Sequence, residues 1–255
     1  MCGRYAAAKD PAALAEEFGV AAPPEEILGP DYNVAPTKRV YVVVDRDRDK
    51  SPERALVVAR WGLIPSWAKD PSIGSRLINA RAETVAEKPA FRRAFAKRRC
   101  LVPADGYYEW YVPASPGAKD TPVGKAGKPI KQPFFIHRAD GSSLAMAGLY
   151  EWWRDPSRDE ADPLAWRLTC TILTTDAADE VGRIHDRMPM TIAREDWAAW
   201  LDPATGAQAS ELLRPAGGPG LEAYPVSVAV NSVRNNSPEL IIPLAAEDVI
   251  PGAGH

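Results

Sequence analysis

Short apolar runs, separated by turns and charged loops, dominate the pattern of this chain. The runs are rich in aromatic and β-branched residues, which fit the pleated, half-buried surface of a strand. Predicted strands cover 40–44, 54–65, 100–112, 133–139, 143–153 and 166–175. Most of them are separated by turns rather than by regular helices, which argues against a doubly wound parallel sheet. We therefore expect an α+β fold, a single domain whose mixed or antiparallel β-sheets form a barrel-like body with short flanking helices.

Helical signals are confined to short segments. The first predicted helix covers 11–18, with Asp10 at its N-cap and Gly19 just after its end. A capping-box pattern at 84–87 predicts a second, basic helix over 88–99. Two further short helices are expected at 194–201 and 208–213. The helices therefore flank the strands rather than alternate with them.

Composition places the chain among ordinary globular proteins. Its 255 residues are 45% hydrophobic and 25% charged, with a formal net charge of −3. Because this net charge does not attract nucleic acid, any anion site must come from local clustering. The N-terminus lacks the apolar segment of a signal peptide, and no apolar run approaches the roughly 18 residues of a membrane span. We therefore expect a cytoplasmic protein that does not bind membranes.

The cysteines give a second indication of compartment. The chain has three, Cys2, Cys100 and Cys170. A small, odd number in a chain of this length indicates reduced thiols inside the cell. The sequence has no CxxC pair or His/Cys cluster of the kind that binds zinc, so we expect neither a metal nor a cofactor.

The sequence contains neither an internal repeat nor a long linker. We expect one domain over 1–243, followed by a C-terminal tail over 244–255, in a protein that is monomeric. Residues 113–132 are rich in proline, glycine and lysine, a composition typical of a mobile surface loop.

The first residues, MCGRY, place a cysteine directly behind the methionine. A methionine in this position is commonly removed when the next side chain is small. Removal would leave Cys2 with a free α-amino group and a thiol on adjacent carbons, a pair of nucleophiles that no other position in a chain offers. The question is whether other segments build a site around Cys2.

Three further residues have side chains suited to such a site. Asn79 lies in an apolar stretch, where a buried amide must be hydrogen-bonded. Glu109 lies between aromatic residues, where desolvation raises the pKa of a carboxyl group and suits it to proton transfer near neutrality. His185 is a histidine between two arginines, a residue type used for proton transfer. Each also has a plain structural interpretation: a sheet-edge or turn Asn, an exposed strand Glu and a structural His.

Basic and aromatic residues accompany these candidates. Arg4, Arg81 and Arg187 lie beside them in the sequence, and Trp67 lies in an apolar loop broken by glycine and proline. Arginine and aromatic residues together are what a groove for single-stranded nucleic acid needs. The alternative for Trp67 is a loop at the edge of the core. The basic residues of 92–99 are more simply interpreted as a solvated helix face.

A series of motifs then identifies a family. In chain order they are MCGRY, YNVAPT, WGLIPSWAKD, NARAET, FRRAFAKRRCLVPADGYYEW, FFI, MAGLYEWW, CTILTTDA and IHDRMP. Each motif alone is weak, but the set in this order is highly specific. From Met1 to about Pro243 the chain resembles the SRAP (SOS response-associated peptidase) family. The resemblance implies a protein of the DNA damage response that recognises abasic sites in single-stranded DNA and becomes covalently linked to them through its N-terminal cysteine. Such a protein would be nucleoid-associated if bacterial.

The resemblance also implies roles for individual residues. The reactive residues of the family fall on Cys2, Asn79, Glu109 and His185. Positions that resemble its DNA-contacting residues are Arg4, Trp67, Arg81 and Arg187. We hypothesise that Trp67, with Ile64 and Pro65, fills the gap beside the missing base.

Other functions are compatible with some of the same residues. An N-terminal Cys-Gly also suits an N-terminal-nucleophile hydrolase, such as a glutamine amidotransferase domain, in which the amine is the base for its own thiol. A non-enzymatic alternative is a module that binds single-stranded DNA without a covalent bond. The family name further implies a peptidase, which the sequence supports at most as autoproteolytic removal of Met1.

Overall fold

The computed structural model describes residues 2–48, 51–112, 130–159, 161–177, 179–214 and 220–251. The strands are β1 (Tyr5–Ala7), β2 (Asp31–Val34), β3 (Arg39–Arg48), β4 (Ser51–Trp61), β5 (Asn79–Arg81), β6 (Arg99–Ala104), β7 (Gly106–Tyr111), β8 (Gln132–Arg138), β9 (Leu144–Arg154), β10 (Trp166–Asp176), β11 (Arg187–Pro189) and β12 (Leu221–Pro225). The α-helices are α1 (Pro11–Phe18), α2 (Arg92–Lys97), α3 (Asp179–Gly182) and α4 (Trp197–Leu201). Segments of 3₁₀-helix lie at Pro71–Arg76, Ala82–Thr84, Pro163–Ala165, Arg194–Asp196, Pro203–Leu212, Val228–Asn231, Pro238–Ile241 and Ala246–Asp248. In these described ranges, the helices are all too short or too polar to cross a membrane.

Five strands close into a barrel. β4, β3, β6, β9 and β10 are antiparallel neighbours in that order, and β10 then returns to pair with β4. The closing pair is parallel and short, with Thr169 opposite Arg60 and Cys170 opposite Trp61. β5 and β11 extend this sheet by pairing with β10. The predicted α+β fold with a barrel-like body is confirmed.

A second, antiparallel sheet packs beside the barrel in the order β12, β8, β7, β1, β2. The N-terminal strand β1 lies inside this sheet, with β2 on one side and β7 on the other. Tyr5 is opposite Val34 of β2 and Tyr107 of β7. The start of the chain is therefore fixed by backbone pairing on both sides.

The barrel interior joins the two sheets through an apolar cluster. Tyr5 and Trp61 meet there edge to face, with ring centroids 5.2 Å apart. The indole N–H of Trp61 donates to the carbonyl of Ile78 at 2.8 Å, so the buried polar atom of this ring is satisfied. The same cluster contains all three cysteines, which are buried and free. The N-terminal segment is thus part of the core.

The first helix follows its sequence signals. The Asp10 side chain accepts a hydrogen bond from the Ala12 N–H at 2.8 Å, and Gly19 adopts the left-handed conformation that ends the helix. Phe18 is buried and stacks on Trp197 of α4 with a centroid distance of 4.6 Å. This contact fixes α1 against the barrel, and the prediction for 11–18 is confirmed.

Several sequence predictions were wrong in their boundaries. The predicted strands 40–44 and 54–65 are observed as β3 and β4, and the predicted helix 208–213 is a 3₁₀ segment, Pro203–Leu212. The basic helix covers Arg92–Lys97 rather than 88–99. Lys88 cannot begin it easily, because the residue before a proline is disfavoured in a helical conformation. The predicted strand 100–112 is divided at Asp105, whose carboxylate accepts the Ala8 N–H at 2.6 Å. This corner turns the chain from the barrel strand β6 into β7 of the second sheet.

Two further predictions, the loop over 113–132 and the C-terminal tail, fall partly outside the described residues. Residues 113–129 of the expected loop and 252–255 of the tail lie outside the described residues. The described part of the tail contacts the second sheet. The Leu244 N–H donates to the Pro225 carbonyl at 2.9 Å, and the Ile250 N–H donates to the Gln132 side chain at 3.0 Å.

Arg99 departs from the expected solvated helix face. It is 2% exposed. Its guanidinium donates to the carbonyls of Phe95, Ala96, Trp200 and Asp202. Three of these carbonyls lie in the last turns of α2 and α4, where a carbonyl has no partner within its own helix, and the fourth, that of Asp202, follows α4 directly. Arg99 therefore joins two helix ends at the wall of the barrel.

Replacing Arg99 by Met should lower the free energy of unfolding by about 3 kcal/mol, because several buried carbonyls lose a charged donor. Urea denaturation measures this change. Arg92→Met, at an exposed position of α2, is the matched control and should change stability little. Equal stabilities of the two variants would contradict the role given to Arg99.

Candidate functional site

Cys2 lies shortly before β1 and has no exposed surface. Two hydrogen bonds hold the segment around it. The Tyr108 N–H of β7 donates to the Arg4 carbonyl at 3.0 Å, and the side-chain amide of Asn79 donates to the Cys2 carbonyl at 2.8 Å. The backbone of the N-terminal cysteine is therefore fixed from both the second sheet and the barrel.

Burial determines the state of the Cys2 thiol. Desolvation raises its pKa well above the ordinary value, and the negative charge of Glu109 raises it further. A hydrogen bond from the Arg4 backbone N–H acts in the opposite direction but is the smaller effect. The resting thiol is therefore neutral, and it needs a proton acceptor before it can act as a nucleophile.

Glu109 supplies a carboxyl group beside this thiol. It lies on β7 opposite Phe134 of β8 and is 2% exposed. Desolvation by burial raises its pKa, and the nearby charge of Asp186 adds to the rise. A buried carboxyl group with a raised pKa can both donate and accept a proton near neutrality.

His185 lies between α3 and β11, at the open side of Glu109. Its Nε2 is 4.0 Å from Oε2 of Glu109. Its Nδ1 accepts a hydrogen bond from the Arg187 backbone N–H at 3.0 Å and is 2.8 Å from Oδ1 of Asp186. The imidazole is about one third exposed, so it lies at the boundary between the buried thiol and solvent.

Asn79 comes from the barrel side. It is the first residue of β5 and lies opposite Ile172 of β10. Its amide nitrogen contacts the Cys2 carbonyl rather than a terminal amine, and its Oδ1 is buried without a hydrogen-bond partner among the described residues. The structure therefore gathers Cys2, Asn79, Glu109 and His185, from four separate segments, into one site.

The predicted DNA-contacting residues have different surroundings. Arg81 is exposed at the end of β5, and Trp67 is 56% exposed. Arg4 is partly buried and donates to the Asn33 side chain at 2.7 Å and to the Val230 carbonyl at 2.9 Å. Two of the four side chains are thus open to solvent, or largely so.

Arg187 is the most enclosed of these arginines. Its guanidinium forms a forked pair with Glu83, at 2.8 and 3.0 Å, and also contacts Asp176. It donates to the Thr174 carbonyl at 2.7 Å. These contacts connect β11 to β10 and to the 3₁₀ turn after β5. In this structure the Arg187 guanidinium is paired with carboxylates and is not open to solvent.

The loop that carries Trp67 depends on close backbone packing. Gly62 has φ of 122°, and a Cβ at this position would lie 2.6 Å from the Gly74 carbonyl oxygen. The Ala68 carbonyl accepts the indole N–H of Trp153 at 2.7 Å. Ile64 and Pro65, which we expected beside Trp67 as parts of a wedge, are instead buried, and Ile64 packs against Trp153. The exposed tip of the loop is therefore Trp67 and not Ile64.

Sequence reasoning missed Asn33, in the motif YNVAPT. It is fully buried, and its amide nitrogen donates to the carbonyls of Val230, Ser232 and Asn235. Its Oδ1 accepts from Arg4. The signal was a polar residue inside a predicted β-rich motif, but its partners lie about 200 residues away in the chain. Asn33 connects the N-terminal segment to the C-terminal 3₁₀ turns.

The site offers a neutral thiol, a carboxyl group, an imidazole and an amide. In the described part of the chain, groups of three His, Cys, Asp or Glu side chains that could hold a metal ion are absent. The side chains present supply proton transfer and one soft nucleophile.

Comparisons with known proteins match the chain along most of its length. A family model described as SOS response associated peptidase (SRAP) matches residues 1–233. The abasic site processing protein YoqW of Bacillus subtilis is 40% identical over 244 residues, 94% of this chain and 99% of that protein. The abasic site processing protein HMCES of Gallus gallus is 35% identical over 246 residues, 84% of this chain and 66% of that protein. A crystal structure of a protein from Bacteroides thetaiotaomicron has a TM-score of 0.78 and 26% identity, covering 96% of this chain and 100% of that one.

Replacing Glu109 by Gln should stabilise the fold at neutral pH. Because desolvation raises the pKa of Glu109 in the folded chain, its contribution to stability is present at acid pH and is lost as the pH rises through that value. The gain should therefore be largest at about pH 7–8 and vanish toward about pH 4, the ordinary pKa range of a glutamate. Urea unfolding across this range measures it.

Glu87→Gln, at an exposed position, is the control for the loss of one negative charge. If Glu109→Gln is less stable than the wild type at every pH, burial does not disfavour the ionised carboxylate, and the proton-transfer role of Glu109 loses its basis.

Proposed function

This chain belongs to the SRAP family, and from that premise we propose that it recognises abasic sites in single-stranded DNA and links covalently to them through Cys2. One observation carries the proposal. Cys2 is buried beside Glu109 and near His185, with its carbonyl held by Asn79, so the reactive residue types surround the N-terminal residue. Relatives named abasic site processing proteins support the substrate.

The chemistry uses both nucleophiles of an N-terminal cysteine. An abasic sugar opens to an aldehyde, and the α-amino group of Cys2 adds to its carbon. Loss of water gives an imine, and the thiol then adds its S–H across the C=N bond to close a five-membered thiazolidine. An α-amino group with a reference pKa near about 7.7–8.0 is partly neutral at pH 7, whereas a lysine near about 10.4 is almost wholly protonated. Placing the thiol beside the imine replaces an encounter from solution.

The surrounding residues have distinct roles in this proposal. His185 exchanges protons with the sugar during ring opening, because its side chain is about one third exposed whereas Cys2 and Glu109 are buried. Glu109 moves protons between the amine, the departing water and the thiol. Asn79 holds the Cys2 carbonyl, and its buried Oδ1, which has no partner among the described residues, can accept a hydrogen bond from the Cys2 amine.

The reaction requires that Met1 is removed. We propose that the same site assists this step, with Glu109 as the proton-transfer group, and that further peptidase activity is not needed for capture. Whether Met1 removal depends on Glu109 can be measured directly, and this tests the peptidase assignment.

The exposure of the arginine and tryptophan side chains indicates which of them a DNA strand can contact. We propose that Arg81 holds a phosphate that flanks the lesion and that Trp67 stacks where the base is missing, since both side chains are open to solvent. Arg4 binds its two partners through Nη1 alone, whereas Arg187 can contact a phosphate only by exchanging one of its present partners. Binding of a strand at Arg187 therefore includes a rearrangement of side chains.

Covalent capture through Cys2 can be tested on a denaturing gel. Wild-type protein should give a denaturant-resistant band with a single-stranded oligonucleotide that carries an abasic site and none with the intact oligonucleotide. Cys2→Ala should abolish the band, and Cys100→Ala, which removes another buried thiol, should retain it. Intact masses of these proteins and of Glu109→Ala report whether Met1 is present.

The competing functions give different results in the same experiment. A covalent band with Cys2→Ala would refute the role of Cys2. Salt-reversible binding with equal affinity for both oligonucleotides would identify a non-covalent module. If a protein that begins with Cys2 forms no band but releases ammonia from glutamine, the amidotransferase alternative is correct.

Arg81→Glu should weaken non-covalent binding of an abasic strand and reduce the slope of log affinity against log salt by about 1, because one phosphate contact is lost. Arg92→Glu, on the exposed face of α2, is the control for the same change in charge. Fluorescence anisotropy with Cys2→Ala protein measures binding without capture. An unchanged salt slope would remove Arg81 from the DNA surface.

A further inference from the structure

The Nδ1 atom of His185 has two partners that require opposite states of the ring. The Arg187 backbone N–H lies 3.0 Å away and can only donate, so this contact needs a lone pair on Nδ1. Asp186 Oδ1 lies 2.8 Å away, and an ionised carboxylate can only accept, so this contact needs a proton on Nδ1. A single ring nitrogen cannot satisfy both at once.

In a neutral imidazole, the protonation of Nδ1 determines whether Nε2 carries a proton or a lone pair. With a lone pair on Nδ1, a neutral imidazole carries its proton on Nε2. With a proton on Nδ1, Nε2 has the lone pair and can accept a proton. Nε2 is the ring nitrogen that faces Glu109, 4.0 Å from Oε2. The partner at Nδ1 therefore sets the direction of proton transfer in the site.

The two partners differ in how firmly they are held. The Arg187 N–H belongs to β11, and the guanidinium of the same residue is bound by Glu83 and Thr174. The Asp186 side chain is 87% exposed, while its carbonyl accepts the Ala177 N–H at 2.9 Å. One partner is thus a fixed part of the sheet, and the other is a carboxylate that can approach or leave the ring.

We propose that Asp186 is a positioning residue that selects the Nδ1–H form of His185 against the Arg187 backbone N–H, and so makes Nε2 the base and acid for opening of the abasic sugar. This inference rests on the proposed function. Within the described ranges, the carboxylates that face the ring are those of Glu109, from β7, and Asp186, from the loop before β11.

Bonds and protons are conserved in the ring-opening step. Nε2 takes the proton of the sugar C1 hydroxyl, the C1=O bond forms as the bond from C1 to the ring oxygen breaks, and Nε2 returns a proton to that oxygen. The intermediate imidazolium keeps its Nδ1–H on Asp186, which balances its charge. After the step, the imidazole of His185 is again in its Nδ1–H form.

The rate of capture with two substrates tests this step. Asp186→Asn should slow capture of a natural abasic strand by on the order of tenfold at pH 7, less than the roughly 10²–10⁴-fold that general acid–base catalysis itself contributes, because the imidazole remains in place. It should capture an oligonucleotide that carries an acyclic aldehyde in place of the sugar at the wild-type rate, because that substrate has no ring to open. Equal slowing with both substrates would show a merely structural role and overturn the proposal.

Asp176→Asn is the matched control. Asp176 is also a highly exposed carboxylate, with 85% of its side chain accessible, but it pairs with the Arg187 guanidinium rather than with the imidazole. The substitution removes the same charge from the same face of the site. The two variants should therefore differ in the ratio of rates with the two substrates. Equal ratios would assign the effect to charge alone and would also overturn the proposal.

Nitrogen NMR of the histidine ring gives a readout without any substrate. The spectrum of wild-type protein should contain Nδ1–H imidazole that is lost in Asp186→Asn, and subtraction of a His185→Gln spectrum assigns it among the three histidines. An unchanged spectrum would refute the selection of this form by Asp186. If wild-type protein captures neither substrate, the proposed function fails, and the spectrum still decides the role of Asp186.

Discussion

The backbone pairing of β1 between β2 and β7 is the constraint on which the site depends. A chain terminus is ordinarily among the least ordered parts of a domain unless it is paired in a sheet. Here Tyr5 is paired on both sides, and the pairing carries Cys2 into the apolar cluster of the barrel. A shift of one residue in this register would turn Tyr5 out of the core and move Cys2 away from Glu109. The same few residues therefore build the core and position the reactive cysteine.

Much of the fold could be predicted because its signals are local. The aromatic and β-branched runs predicted the long barrel strands, and Asp10 with Gly19 predicted the first helix. Closure of the barrel by the parallel pair between β4 and β10 has no local signal, since it joins Arg60 to Thr169, far apart in the sequence. The corner at Asp105 was missed for the same reason: its partner, Ala8, is 97 residues away.

The site was predicted more completely than its surroundings. Cys2, Glu109 and His185 have side chains whose chemistry is evident from residue type, and the structure brings them together. The position of Arg187 could not be inferred, because the Glu83 carboxylate that binds it is 104 residues away. The contact of Asp186 with His185 is adjacent in sequence, but only the geometry shows that it competes with a backbone N–H. Residue type identifies reactive groups, whereas their protonation depends on contacts.

The complete burial of Cys2 has a consequence for the lifetime of the protein. Thiols are consumed by peroxides and by stray electrophiles in proportion to their thiolate fraction and their accessibility. Cys2 has no exposed surface, and burial raises its pKa, so both quantities are low at rest. Under the proposed function, Cys2 must stay unmodified until an abasic strand reaches the site. The core therefore protects the N-terminal cysteine from oxidation and alkylation, and only a ligand that opens the site can reach it.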